Sequence, residues 1–206
     1  MTTVNDLRTG HLNRLLGRVD ASTEPWSDTD CNAHLTSALR ETWPELGTRA
    51  TGTVATNPSS DTYAMPGSIV ALSRVEVLDA NGLHIDRVTK WRLLWDADPP
   101  TKIIIEPLIA GGFTLRMSGW KPFSATGSDL PTRLEAIVAY KAAALAYGEL
   151  AGKLANSERQ QSLDSGRVVD YPTAVGLSAY YERRYIERTT NDPARVSFAP
   201  RAAHRG

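Results

Sequence analysis

The chain has 206 residues, one cysteine and no net formal charge at pH 7, and each scarcity excludes something. One cysteine permits no intrachain disulfide, so packing must hold the fold, as expected for assembly in a reducing cytoplasm. Neutrality argues against a dedicated nucleic-acid binder, which carries a basic excess to neutralise phosphates. It leaves room for a protein that encloses DNA without gripping it. The opening "MTTVNDLRTGHLNRLLGRV" has no continuous apolar run of signal-peptide length. The most apolar helical stretch, "LEAIVAYKAAALAYGEL", carries Glu135, Lys141 and Glu149 and falls short of the roughly 20 apolar residues of a membrane span. The expectation is a soluble, unprocessed, non-secreted chain with no membrane contact. No internal repeat is visible.

Chemical signatures are scarce too. There is no G-x-x-x-x-G-K-[ST], no G-x-G-x-x-G after a strand, no H-E-x-x-H and no G-x-S-x-G. The Gly111-Gly112 pair reads as a turn. No cofactor and no catalytic residue is nominated, and the chain reads as a non-enzyme.

What is present divides into three segments. Residues 3 to 44 read as two helices. Val4, Leu7, Leu12, Leu15, Leu16 and Val19 recur at helical spacing, and "GRVDASTEP" breaks the run. A second helix starts at Ser27, places Cys31, Leu35, Ala38, Leu39 and Thr42 on one side, and stops at Pro44. Residues 48 to 68 read as a loop-rich stretch with room for one short strand. Four β-favouring runs follow: "SIVALSRVEVL", "LHIDRVTKWRLLW", "TKIIIEPL" and "FTLRMSGW". Asn81-Gly82 predicts a hairpin between the first two. In the last, Phe113, Leu115 and Met117 alternate with Thr114, Arg116 and Ser118, so one face is buried. An up-and-down antiparallel order is the economical reading. Trp91 and Trp95 share a strand face with Leu93, a core-like stripe whose alternatives are a ligand platform or a subunit contact.

Helix then returns. Thr132 and Glu135 match a capping box, and Leu134, Ile137, Val138, Leu145 and Leu154 make an apolar stripe. Ala142, Ala144, Gly148 and Gly152 are small enough for close approach of another helix. "NSERQQSLDSGRVVD" is a polar link with room for a short helical piece. A last helix spans 172 to 188, with Leu177, Tyr181 and Tyr185 on one face. Arg183 and Arg184 on it are either a solvated face or a subunit contact. The terminal "TTNDPARVSFAPRAAHRG" has no acid after Asp192 and reads as an extended arm. The expected fold class is α+β: an antiparallel bundle of four main helices (1–47 and 128–190), an inserted antiparallel β-sheet (48–127) and the arm (191–206).

One stretch, "PWSDTDCNAHL" (25–35), packs Asp28, Asp30, Cys31 and His34 closely enough to suggest a metal site. Helix-start chemistry explains it better. With Ser27 as N-cap, Asp30 stands at the third helical position and can reach back to the cap, and both acids favour the positive helix end. Trp26 and Cys31 then take the positions of a hydrophobic staple. Asp30 and His34 offer too few ligands for zinc, so no metal is expected. A metal-dependent hydrolase using this pair is the remaining alternative from another class.

These segments together resemble a known family. "VNDLRTGHLNRLLGRVDASTEPWSDTDCNAHLTSALRETWPE" is similar to the opening of head-to-tail connector (adaptor) proteins of long-tailed phages. There, an L-R-x-x-L-x-x-x-L-type helix precedes a W-[ST]-D-x-[DE]-[LC] helix start. "KWRLLWDADPPTKIIIEPLIAGGFTLRMSGWKPF" resembles the family's β-insertion, "LPTRLEAIVAYKAAALAYGELA" its long helix, and "SAYYERRYIE" its last helix. The resemblance covers nearly the whole chain in order. The sequence departs from it at Cys31, usually aliphatic, and in its generous 48–68 loop.

The resemblance implies a virion protein of the neck, assembled in the host cytoplasm. It would form a ring of about twelve copies beneath the portal protein, subunits meeting heterologously. Such a ring extends the channel through which genomic DNA passes without specific binding, and docks the stopper or head-completion protein. The arm would reach the portal through Arg195, Val196, Phe198, Arg201 and Arg205, by edge-strand pairing. Arg183, Arg184, Gly148 and Gly152 are the candidate subunit contacts. A stopper or tail-completion role in the same neck is the alternative.

Overall fold

The computed structural model describes residues 2–18, 25–95, 97, 100–155, 161–163, 166, 168–192 and 195–196. The chain is α+β and divides into a helical unit, Met1–Leu46 with Pro122–Arg195, and a β unit built on Gly47–Lys121. Among the described residues no helix is long and apolar enough to cross a membrane.

The helical unit opens on α1 (Val4–Leu7), a π-helical stretch (Arg8–Leu12) and α2 (Asn13–Leu16). Thr3 and Asp6 form a capping box at its start, and the helix ends at Gly17. The π-helical stretch was not foreseeable from apolar spacing, because it keeps Leu7, Leu12 and Leu16 fully buried all the same. α3 (Asp28–Glu41) follows, then α4 (Thr132–Leu154) and α5 (Tyr171–Thr190). α4 packs on α5, on α3 and on the leading helix. Its alanines allow this: Ala139, Ala142, Ala143 and Ala146 are wholly buried and keep the helix axes close. An aromatic cluster joins the elements. The Trp26 ring meets Tyr147 edge-on at 5.2 Å, Tyr147 stacks on Tyr181 at 5.8 Å, and the Tyr181 hydroxyl donates to the Leu15 carbonyl at 3.0 Å.

Three expectations need correction here. Pro131, not a polar side chain, stands at the N-cap of α4. Thr132 is therefore already helical, and Glu135 accepts from Thr2 Oγ1 at 2.6 Å and lies 3.3 Å from His11 Nε2 instead of capping. The polar link after α4 holds no helical piece among its described residues. Gln161–Ser162 (β8) and Val168–Val169 (β9) pair antiparallel. At the far end, Arg195 pairs with Leu46 in an antiparallel bridge and donates to the Thr190 carbonyl at 3.3 Å, while Val196 is buried. The root of the expected arm is thus tied to its own chain. Residues 197–206, with Phe198, Arg201 and Arg205, lie outside the described residues.

The β unit has two antiparallel sheets around one core. The larger runs in the order β1 (Thr48–Ala55), β7 (Thr114–Lys121), β3 (Ala71–Leu78), β4 (His84–Arg87). The smaller runs β2 (Thr62–Ala64), β6 (Lys102–Ile105), β5 (Trp91–Leu94). The inner face of the larger sheet, with Val75, Val77, Leu115 and Met117, shares a core with Tyr63, Ile103 and Ile105 of the smaller. The predicted hairpin forms. Gly82 takes φ 79°, a left-handed value the turn requires, and β3 pairs with β4 through it.

The up-and-down order does not hold, because β5 and β6 leave the first sheet before β7 returns to its centre. The run "LHIDRVTKWRLLW" is two strands in two sheets. The supposed loop after 48 holds an eight-residue strand, β1, paired with β7 along its whole length. Trp95 is exposed, unlike the core-like reading given to it.

Candidate functional site

The 25–35 stretch is a helix start. Ser27 Oγ accepts from the Asp30 N–H at 3.2 Å, and the Asp30 carboxylate accepts from the Ser27 N–H at 2.8 Å. These Ser27 hydrogen bonds hold the Asp30 carboxyl below its ordinary pKa. Asp28 accepts from two arginines, Arg18 Nη2 at 2.6 Å and Arg8 Nη1 at 2.8 Å. Trp26 and Cys31 are both buried in the helical core. Burial pushes the Cys31 thiol up to about 11, so at neutral pH it is no thiolate nucleophile. His34 Nε2 lies 3.3 Å from Glu149; burial nonetheless keeps the imidazole below its usual pKa against the raising pull of that carboxylate. Among the described residues, no three His, Cys, Asp or Glu side chains are grouped to hold a metal ion.

The candidate contact residues of α4 and α5 are spread over the helical surface. Arg183 and Arg184 are exposed. Arg184 stacks over Tyr180 at 5.4 Å and pairs with Glu187 at 3.3 Å. Gly148 faces Ser178 Oγ of the same chain, and Gly152 faces open space.

The most developed polar arrangement lies where no local motif pointed, on the outer face of the four-stranded sheet. Glu76 is buried at its centre, directly across from Arg116 on β7 and Arg87 on β4. Its carboxylate accepts from Arg116 Nη2 at 2.7 Å and Nε at 2.8 Å, and pairs with Arg74 two residues away; His84 Nε2 lies 3.6 Å off. Burial acts to raise the Glu76 pKa, but the Arg116 hydrogen bond and the charges of Arg116, Arg74 and His84 outweigh it, and the net displacement is downward.

Beside this network runs a cleft of about 310 Å³ lined by Arg49, Arg74 and Arg87, by the hydroxyl residues Thr51, Ser73 and Ser118, and by the strand backbone at Gly119. Among the described residues no carboxylate lines it. The Arg49 guanidinium lies 5.0 Å from the centre of the Trp120 ring. A register shift in β3 between Leu72 and Arg74 shapes the cleft. The extra residue, Ser73, donates to the Ser118 carbonyl at 3.0 Å. Gly119, opposite, has no room for a side chain, because a Cβ there would collide with the Ala71 carbonyl oxygen. Such bulges re-aim side chains and recur beside functional sites.

No family model and no curated protein matches the chain. Among solved structures, it is similar to a chain in the neck of an empty gene transfer agent (GTA) particle with C6 symmetry, at TM-score 0.33 and 18% identity, over 86% of this chain and 87% of that one. A chain in the virion of the native GTA particle gives the same values. A chain in the neck of the native GTA particle with C12 symmetry is similar at TM-score 0.30 and 17% identity, over 73% and 79%. Likeness at these values assigns neither fold nor role.

Proposed function

We propose that this chain is a virion structural protein of the neck: a head-to-tail adaptor whose copies form a ring beneath the portal, extend the DNA channel and dock the next neck protein. One observation carries the reading. The sequence segments that resemble the connector family fall, in the family's order, on discrete structural elements. The W-S-D-T-D-C segment is the capped start of α3, F-T-L-R leads β7, L-P-T-R-L-E-A opens α4, and Y-E-R-R-Y-I-E lies within α5.

The ring reading asks that the last residues attach the chain to the portal. Because Arg195 and Val196 are held by their own chain, the test truncates after Val196. Removing residues 197–206 is expected to leave the melting temperature unchanged and to abolish co-sedimentation with purified portal rings. Full portal binding by the truncated chain overturns the arm. Failure of the intact chain to form rings on portal, seen by electron microscopy, overturns the adaptor reading itself.

A further inference from the structure

We infer that the cleft between Arg49, Arg74 and Arg87 on the outer face of the four-stranded sheet binds the phosphate backbone of duplex DNA, without reading its sequence. The inference deepens the adaptor reading and rests on it only for how DNA comes to lie against this face.

The electrostatics come first. Arg49 and Arg87 are exposed and, among the described residues, pair with no carboxylate. Arg74 and Arg116 divide the single charge of Glu76 between them. Four guanidiniums on one sheet face are therefore answered by one buried acid, in a chain whose formal charges sum to zero. The surplus is local, which composition cannot reveal. Glu76 is buried while Arg74 and Arg116 stay partly exposed, so the acid anchors both guanidiniums and keeps them at the surface of the sheet.

The lining then selects the ligand. Guanidiniums and hydroxyls are the side chains that contact phosphate oxygens and position a protein on the duplex. Protein docking sites centre on buried apolar or aromatic anchors. Among the described residues lining the cleft none is offered: the aromatic ring there, Trp120, is buried and already covered by Arg49. An acidic peptide would leave its apolar side chains against hydroxyls and charges, whereas a phosphodiester offers charged oxygens to the same donors. The cleft also lies on strand backbone held rigid by paired neighbours on both sides, as β7 is by β1 and β3.

The test uses the purified full chain and a labelled random-sequence duplex, followed by fluorescence anisotropy over a salt series. Binding is expected at low salt, falling as salt rises and equal for unrelated sequences. The pair Arg49→Gln/Arg87→Gln is expected to weaken it on the order of tenfold and to make the salt dependence shallower. Arg87→Gln alone, which disturbs no ring contact, shows part of the same loss. A control pair of exposed arginines in the helical unit, Arg40→Gln/Arg188→Gln, leaves binding unchanged. The inference is overturned if the intact chain does not bind duplex at low salt, if the control pair loses as much as the cleft pair, or if a polyglutamate peptide displaces the duplex as well as unlabelled duplex does. Should the cleft pair lose assembly on portal while keeping duplex binding, the cleft is a protein contact, and the inference falls while the adaptor reading stands.

Discussion

Two carboxylates in this chain each sit between two guanidiniums, and the two units arrange these triplets in opposite ways. In the helical unit the acid is outside and the bases are inside: the Asp28 side chain is 39% exposed, Arg8 11% and Arg18 1%. In the β unit the acid is inside and the bases are outside: Glu76 is 4% exposed, Arg74 49% and Arg116 39%. A guanidinium that loses its partner can return to water only if it already reaches the surface. The first triplet therefore secures packing between the leading helix and α3. The second presents positive charge outward from a strand scaffold.

Substitutions can break this contrast, beginning with the scaffold. Gly119→Ala is expected to cost about 3 kcal/mol or more, because the Cβ would collide with the backbone of β3. Chemical denaturation measures it, and a loss under about 1 kcal/mol would show that the bulge can slide.

Next come the acids themselves. Asp28→Asn should lower the melting temperature more than Glu76→Gln does, since it removes the carboxylate that answers two buried guanidiniums, whereas the partly exposed sheet arginines can swing into water. Equal or reversed shifts would erase the distinction between the units. Acid titration sharpens it. A folded-state pKa held down, as for Glu76, contributes stability above the usual value of 4.5, and this is lost as pH falls through the folded value. Melting curves of the parent chain and Glu76→Gln should therefore converge as pH drops below that window. Curves that stay parallel would show that the charge of Glu76 does not stabilise the sheet.

Smaller effects follow. Ser27→Ala removes one side of a formed capping box and should cost about 1 kcal/mol by thermal melting. Arg87→Gln should stay within about 0.5 kcal/mol of the parent, as for a surface side chain without a structural partner, and adding Arg49→Gln, which uncovers the Trp120 ring, should cost about 0.5–1 kcal/mol more. A larger loss would mean the cleft arginines hold the sheet together and are not merely displayed by it.

Which parts could be read from the sequence follows from how local their causes are. The start of α3 was legible because Ser27, Asp28 and Asp30 act on backbone groups within one turn. The Asn81-Gly82 hairpin was legible for the same reason. At α4 the identical logic misled: Thr132 and Glu135 have the right spacing, but Pro131 takes the cap and Glu135 is drawn to Thr2 and His11, more than a hundred positions away. β1 runs longer than the one short strand for which the 48–68 stretch left room, because threonine, glycine and alanine look like loop until a partner strand supplies the hydrogen bonds. Gly52 in it faces Pro66 so closely that no side chain would fit. The arginine cleft was invisible for a stronger reason: Arg49, Arg74 and Arg87 meet only through strand order and register, which no local pattern encodes.

That strand order carries a consequence for synthesis. Among the described residues β1 finds its strand partner in β7 alone, from Thr48 with Lys121 to Ala55 with Thr114, and β3 pairs with the same late strand. A ribosome must therefore deliver everything between them before the larger sheet can zip, and closing so long a loop precedes any reward from pairing. Until then the early strands emerge with open edges, and the β3–β4 hairpin is the one part of that sheet able to form as it leaves the exit tunnel.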